Sequence, residues 1–287
     1  MYRMISLTRA AARLLMVQSL FLFTAIVPRG AIVASAEASA GLIRIAIVGD
    51  STVADYKLDD PHRGWGQLFP EFIDARRVSI QNFAVNGRST KTFKSEGRWE
   101  RVLAFKPDYI FIQFGHNDSH AKDRPESTDA ETDYSRYLRE YVESASAQGA
   151  TPILVTPMHR GTWEKDGRHL TQELLPYADA MGRVAKEKRV TVIDLYSLSA
   201  KTFEQLGSEQ LKTLFAFPDT DKTHFNEKGA RLLAALVARE TARRVPTLKT
   251  YLKVAVASPE SSGSFTTASR PGEKQINKSL LQNANAS

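Results

Sequence analysis

The stretch Ile43-Arg44-Ile45-Ala46-Ile47-Val48-Gly49-Asp50-Ser51-Thr52 decides the fold. Its β-branched run is too continuous to leave one face in water, which is the pattern of a parallel strand covered on both sides. Four further runs share the character: Val78 to Phe83, Tyr109 to Phe114, Pro152 to Thr156 and Val190 to Leu195. Helical patterns alternate with them, as in a parallel sheet wrapped by helices. The clearest runs from about Asp133 to Gln148, with Tyr134, Tyr137, Leu138, Tyr141, Val142 and Ala145 on one stripe and Gly149 as its stop. A tyrosine stripe suits sugar stacking, but at this spacing it reads first as core. Further helices are expected over Gly66 to Ala75, Pro176 to Lys188 and Glu227 to Arg244.

Composition sets the outer limits. A chain of 287 residues suffices for one large core, read here as a single catalytic domain over residues 41–250. Arg3, Arg9 and Arg13 precede an apolar run from Leu14 to Val27 and then small residues, including Ala34-Ser35-Ala36. That is the layout of a secretory signal, read over residues 1–36, and the run is short of the roughly 20 residues a bilayer span needs. A secreted or periplasmic protein with no stable membrane span is expected. Losing that segment removes four arginines and no acids, so the formal charge falls from +7 to +3. The remaining Lys and Arg are scattered, which gives no support to nucleic-acid binding. With no cysteine there is no disulfide, thiolate metal site or cysteine nucleophile. Residues 258–287 are poor in large apolar side chains and read as a disordered tail.

Ligands of parallel α/β sheets bind beyond the carboxyl ends of the strands, and the polar clusters of this chain fall there. The first strand runs into Gly49-Asp50-Ser51-Thr52, the second into Asn82 through Ser89, and the third into Gly115-His116-Asn117-Asp118. A glycine before a serine permits a sharp turn that exposes a hydroxyl, although a turn or cap serine has the same local pattern. A nucleophilic serine also requires a base and oxyanion donors. Asn117 is a candidate donor, and Gly87 places a backbone N–H in a turn. Asp221-Lys222-Thr223-His224 offers an imidazole with a carboxylate three residues away, while Asp219 is a second choice at five. His116, Asp118 and His120 alternate as metal ligands do on a strand, but the apolar run ends at Phe114, so no metal site is read from them.

In order and at strand ends, Gly49-Asp50-Ser51, Gly87, Gly115-His116-Asn117-Asp118 and Asp221-x-x-His224 resemble the GDSL or SGNH hydrolase superfamily. Gly49-Asp50-Ser51-Thr52-Val53-Ala54, Gly64-Trp65-Gly66-Gln67, Glu96-Gly97-Arg98-Trp99 and Phe111 to Asp118 make the chain most similar to its rhamnogalacturonan acetylesterase branch, over about residues 43–245. The resemblance implies a three-layer α/β/α, flavodoxin-like fold with a five-stranded parallel sheet in the order 2-1-3-4-5. It implies Ser51 as nucleophile, His224 as base and acid, and Asp221 as its orienting carboxylate. Ser51, Gly87 and Asn117 would form the oxyanion hole, with no metal or organic cofactor.

The implied reaction removes O-acetyl groups from pectic rhamnogalacturonan, an acetylated polysaccharide, through an acetyl-enzyme. Acetylated xylan, other glycans and short-chain or lipid esters are the alternatives, and a non-catalytic glycan-binding protein is the minor one. Trp65, Arg88, Arg160 and Trp163 are candidate groove residues, since aromatic faces pack on sugar rings and guanidinium pairs with uronate. Trp99 reads equally well as core.

Overall fold

The computed structural model describes residues 41–253. Residues 1–36 and 258–287, read from sequence as signal and tail, lie outside the described residues.

Five parallel strands form one sheet in the order β2-β1-β3-β4-β5: β1 (Ile43–Gly49), β2 (Val78–Asn82), β3 (Tyr109–Gln113), β4 (Thr151–Val155) and β5 (Thr191–Ile193). Because side chains alternate across a strand, Ile45 and Ile47 face one core while Ala46 and Val48 face another, and all four are fully buried. The centre of the sheet is thereby apolar on both faces, as the sequence runs require, whereas β2, at the edge, leaves Gln81 exposed.

Helices are α1 (Trp65–Leu68), α2 (Thr90–Ser95), α3 (Arg98–Ala104), α4 (Ser135–Ala147), α5 (Leu175–Lys188), α6 (Leu195–Lys212), α7 (Glu227–Arg244) and α8 (Pro246–Lys249). Core residues from α1, α6, α7 and α8 cover the face of Ile45 and Phe111, and those from α2 through α5 cover the face of Ala46 and Ile112. The result is the three-layer arrangement.

Helices α4, α5 and α7 sit close to their expected bounds, α7 without any shift, whereas α6 was not expected from the sequence. The helix expected over 66–75 is instead α1 followed by a 3₁₀ turn at Phe69–Phe72, because Pro70 and a tightly packed backbone break it. The apolar run that ended the fifth strand splits at Asp194, whose carboxylate accepts from Ser197 N–H at 3.1 Å and starts α6. The tyrosine stripe of α4 is core: Tyr134 and Tyr141 are fully buried, and their hydroxyls donate to the carbonyls of Phe114 and Thr90. No described helix is long and apolar enough to cross a membrane.

The strand order reverses between β2-β1 and β3-β4-β5, which opens a crevice at the carboxyl ends of β1 and β3.

Candidate active site

At the end of β1 the chain cannot continue as a strand with a side chain at Gly49. A Cβ there would stand 2.6 Å from Val53 Cγ2 and 2.7 Å from the Gln113 carbonyl. The chain instead turns, with Asp50 C=O accepting from the N–H groups of Val53 and Ala54, and Ser51 is carried on that turn. Asp50 is fully buried beneath it and accepts from Thr52 N–H at 2.9 Å and from the Thr52 hydroxyl at 2.7 Å. Thr52 Oγ1 accepts from Gln113 Nε2 at 2.8 Å, and Gln113 Oε1 accepts from the Trp65 indole N–H at 2.8 Å. From the open side, Tyr56 donates its hydroxyl to the Ser51 carbonyl at 2.8 Å, and burial raises the pKa of that phenol. The turn is therefore held by side chains from below and from one flank.

Ser51 Oγ lies 2.8 Å from His224 Nε2, across 173 residues of chain. His224 Nδ1 lies 2.7 Å from Asp221 Oδ2, and Asp221 Oδ1 accepts from Thr223 N–H at 2.8 Å and His224 N–H at 3.1 Å. Burial alone would raise the Asp221 carboxyl, but the hydrogen bonds from the Thr223 and His224 groups outweigh it and hold its pKa below the ordinary aspartate value. An ionised carboxylate on Nδ1 keeps the proton there and leaves Nε2 free to accept one from Ser51. The loop carrying the pair is anchored by the two residues on its C-terminal side. Phe225 is buried against Phe215, and Asn226 caps α7 while donating to the carbonyls of Thr213 and Phe215. The competing Asp219 is exposed.

Gly87 has φ of +75°, the left-handed region where a side chain is strained. Among the described residues, neither its N–H nor that of Ser51 donates to another backbone group. Asn117, at the end of the β3 loop, donates one amide hydrogen to Arg88 C=O at 3.0 Å, which sets it beside the Gly87 turn. Next to it, the His116 ring is buried with Nδ1 3.5 Å from Asp50 Oδ2, too far for a full hydrogen bond, and neither of the His116 ring nitrogens nor Asp50 Oδ2 has a hydrogen-bond partner among the described residues. Burial opposes ionisation of Asp50, yet His116 and the Thr52 donors together lower its pKa. Asp118 points away, accepting from Thr90 and Thr128, and burial pushes its pKa up to about 7 against those bonds.

The residues expected in the groove divide. Trp65 is a correction: it is fully buried, because Gly64 and Gly66 bring the backbone against Val53 and Ala54 and turn the indole inward to Gln113. Trp99 is core as well, with its indole N–H on Ser144 Oγ. Trp163 is half-buried at the edge of one core and bridged to Leu170. Arg88 is paired with Glu96, and Arg160 with Glu173, the His116 carbonyl and Ser119 Oγ. Both arginines are partly exposed near the crevice but already bonded. His120 turns to Glu126 at 2.6 Å, so His116, Asp118 and His120 do not converge. Among the described residues, the group able to share a cation is His62, Asp221 and His224, with ligand atoms within 4.8 Å of one another. His62 is held by Asp60 at 2.7 Å and meets the His224 ring edge-on at 5.5 Å. The Asp-x-His spacing of 60–62 was the available signal. Tyr56 and Gln113 were also missed, although Gln113 is the one polar residue of β3.

The profile of the GDSL-like Lipase/Acylhydrolase family matches residues 47–232, from β1 through the His224 loop into α7. The chain belongs to the GDSL-like lipase/acylhydrolase family. It is a carboxylic ester hydrolase. Among curated relatives, it is 38% identical over 200 residues to the probable rhamnogalacturonan acetylesterase YesY of Bacillus subtilis, covering 68% of this chain and 90% of that protein. It is 37% identical over 210 residues to the rhamnogalacturonan acetylesterase RhgT of the same organism, covering 68% and 88%. Among solved structures, the protein YXIM of Bacillus subtilis superposes with a TM-score of 0.63 at 30% identity, covering 71% of this chain and 57% of that one. The family match thus spans the end of β1, the other four strands and both halves of the candidate site.

Proposed function

We propose that this chain is a serine carbohydrate esterase that removes O-acetyl groups from rhamnogalacturonan, with Ser51, His224 and Asp221 as its triad. The observation that carries the chemistry is the continuous chain from Ser51 Oγ through His224 to Asp221, at 2.8 and 2.7 Å. Similarity to two rhamnogalacturonan acetylesterases supports the substrate.

In the first half-reaction His224 Nε2 takes the Ser51 proton while Oγ attacks the acetyl carbonyl. The oxyanion accepts from the N–H groups of Ser51 and Gly87 and from the second amide hydrogen of Asn117, whose first is held by Arg88. His224 then gives its proton to the departing sugar oxygen, leaving acetyl on Ser51. In the second half a water, deprotonated by His224, attacks that acyl group, and acetate leaves as the proton returns to Ser51. Export, as read from residues 1–36, would place this chemistry where plant polymers are met.

The test is acetate release from acetylated rhamnogalacturonan, acetylated xylan and a long-chain ester by wild type and Ser51→Ala. Wild type is expected to favour rhamnogalacturonan, and Ser51→Ala to lose at least about 10³-fold while staying folded. Retained activity in Ser51→Ala, or preference for the long acyl chain, overturns the proposal.

A further inference from the structure

Along the same edge of the sheet, beyond β4 and β5, lies a cavity of about 610 Å³ to which the ester chemistry assigns no role. It falls within the roughly 300–1,000 Å³ of ordinary ligand sites. His159, from the loop after β4, forms one wall. Tyr196, Lys201 and Glu204, on successive turns of α6, form another, and His169 and Gln172 close the rim. The two walls are tied by His159 N–H donating to Ser199 Oγ at 2.9 Å, so the shape is built rather than incidental.

Tyr196 is 7% exposed, and its hydroxyl has no hydrogen-bond partner among the described residues. A buried hydroxyl without a partner costs stability and is seldom left so unless something else fills the role. Its ring packs on His159 with centroids 4.0 Å apart. Burial pushes the His159 imidazole down to about 4, so at neutral pH it is uncharged, with one donor and one acceptor nitrogen. A neutral imidazole, an amide, an amine and a carboxylate around an aromatic pair, with the unpartnered Tyr196 phenol buried in the wall, make a surface for hydroxyl-rich rings.

Arg160, directly after the cavity residue His159, donates to the carbonyl of His116 at 3.0 Å, next to Asn117, so one loop reaches from the cavity wall toward the ester site. Ser51 lies just past β1 and Tyr196 just past β5, three strand spacings apart. That is about 14 Å, more than one sugar ring. We propose that this cavity is a second carbohydrate subsite, holding a sugar residue of the polymer whose acetylated residue lies at Ser51. The proposal rests on the carbohydrate reading of the ester site.

Tyr196→Phe tests it. Removing a hydroxyl that no protein group uses should not lower Tm, while a lost bond to sugar lowers kcat/KM on acetylated rhamnogalacturonan, relative to that on p-nitrophenyl acetate, about five-fold, chiefly through KM. An unchanged ratio, or a parallel loss on both substrates with a lower Tm, overturns the subsite. Deacetylated rhamnogalacturonan oligosaccharide bound to Ser51→Ala protein should protect the amides of His159 and Tyr196 from hydrogen exchange. Absence of that protection overturns the subsite whatever the hydrolysis result. Failure of the wild type to release acetate from the polymer instead overturns the substrate reading.

Discussion

Replacing Asp221 by Asn should invert the tautomer of His224, the histidine proposed as catalytic, and the local geometry dictates the direction. Oδ1 of Asp221 accepts two backbone N–H groups, at 2.8 and 3.1 Å, so the amide oxygen of Asn must occupy that position. The amide nitrogen then takes the place of Oδ2, 2.7 Å from His224 Nδ1. Two donors cannot share that contact, so Nδ1 gives up its proton and Nε2 acquires one, pointing at Ser51 Oγ. The serine then faces a donor where it needs an acceptor. Inverting this tautomer in Ser-His-Asp enzymes costs about 10⁴-fold in kcat, or about 5 kcal/mol of transition-state stabilisation. The assay is steady-state hydrolysis of p-nitrophenyl acetate at pH 8, with circular dichroism to establish that the variant is folded. Retention of more than a tenth of wild-type kcat in a folded Asp221→Asn protein would refute the reasoning, because Oδ2 could not then be setting the tautomer.

Asn117→Ala should lower kcat by about 10²–10³-fold with little change in KM, as expected for one oxyanion donor; a change confined to KM would argue against that role. Gln113→Leu leaves the buried Trp65 indole N–H without its acceptor and should cost about 2–3 kcal/mol, seen as a fall in Tm of roughly 5–10 °C. A Tm within 2 °C of wild type, on the order of measurement noise, contradicts the network. Asp118, raised to about 7 in the fold from 3.8, contributes stability that is fully present below about pH 4 and is lost as pH rises to 7. Asp118→Asn should therefore flatten the fall of Tm across that window, and parallel wild-type and variant curves would exclude the group as its source.

The sheet was legible because its central strands β1, β3 and β4 are apolar on both faces. Helices α4, α5 and α7 were legible in the sequence, α4 most plainly from its periodic apolar stripe. By contrast, α2 is six residues rich in Thr and Lys, held by a capping box between Ser89 and Thr92 rather than by an apolar stripe, and α6 is broken by Gly207 at φ of +71°. Of the site, the serine, histidine and aspartate were readable because their order and spacing match a known pattern, and the structure brings them into contact. The groove was not readable. Whether Trp65 faces sugar or core depends on how closely two glycines let separate backbones approach, and whether Arg88 or Arg160 is free depends on acids 8 and 13 residues away. These are distances in space, which a linear pattern does not carry.

The pairing of Asp221 with His224 inside a single turn has a mechanical consequence. Of the two contacts that make the relay, one is closed within a four-residue ring of chain, and only the other joins distant parts of the molecule. The relay therefore has one long-range joint, and its length is governed by how the connection between α6 and α7, residues 213–226, is seated. Phe225 and Asn226 serve as the bolts of that seat. A change in the sheet's far edge can leave the relay untouched, whereas a sub-ångström shift of this one connection opens it.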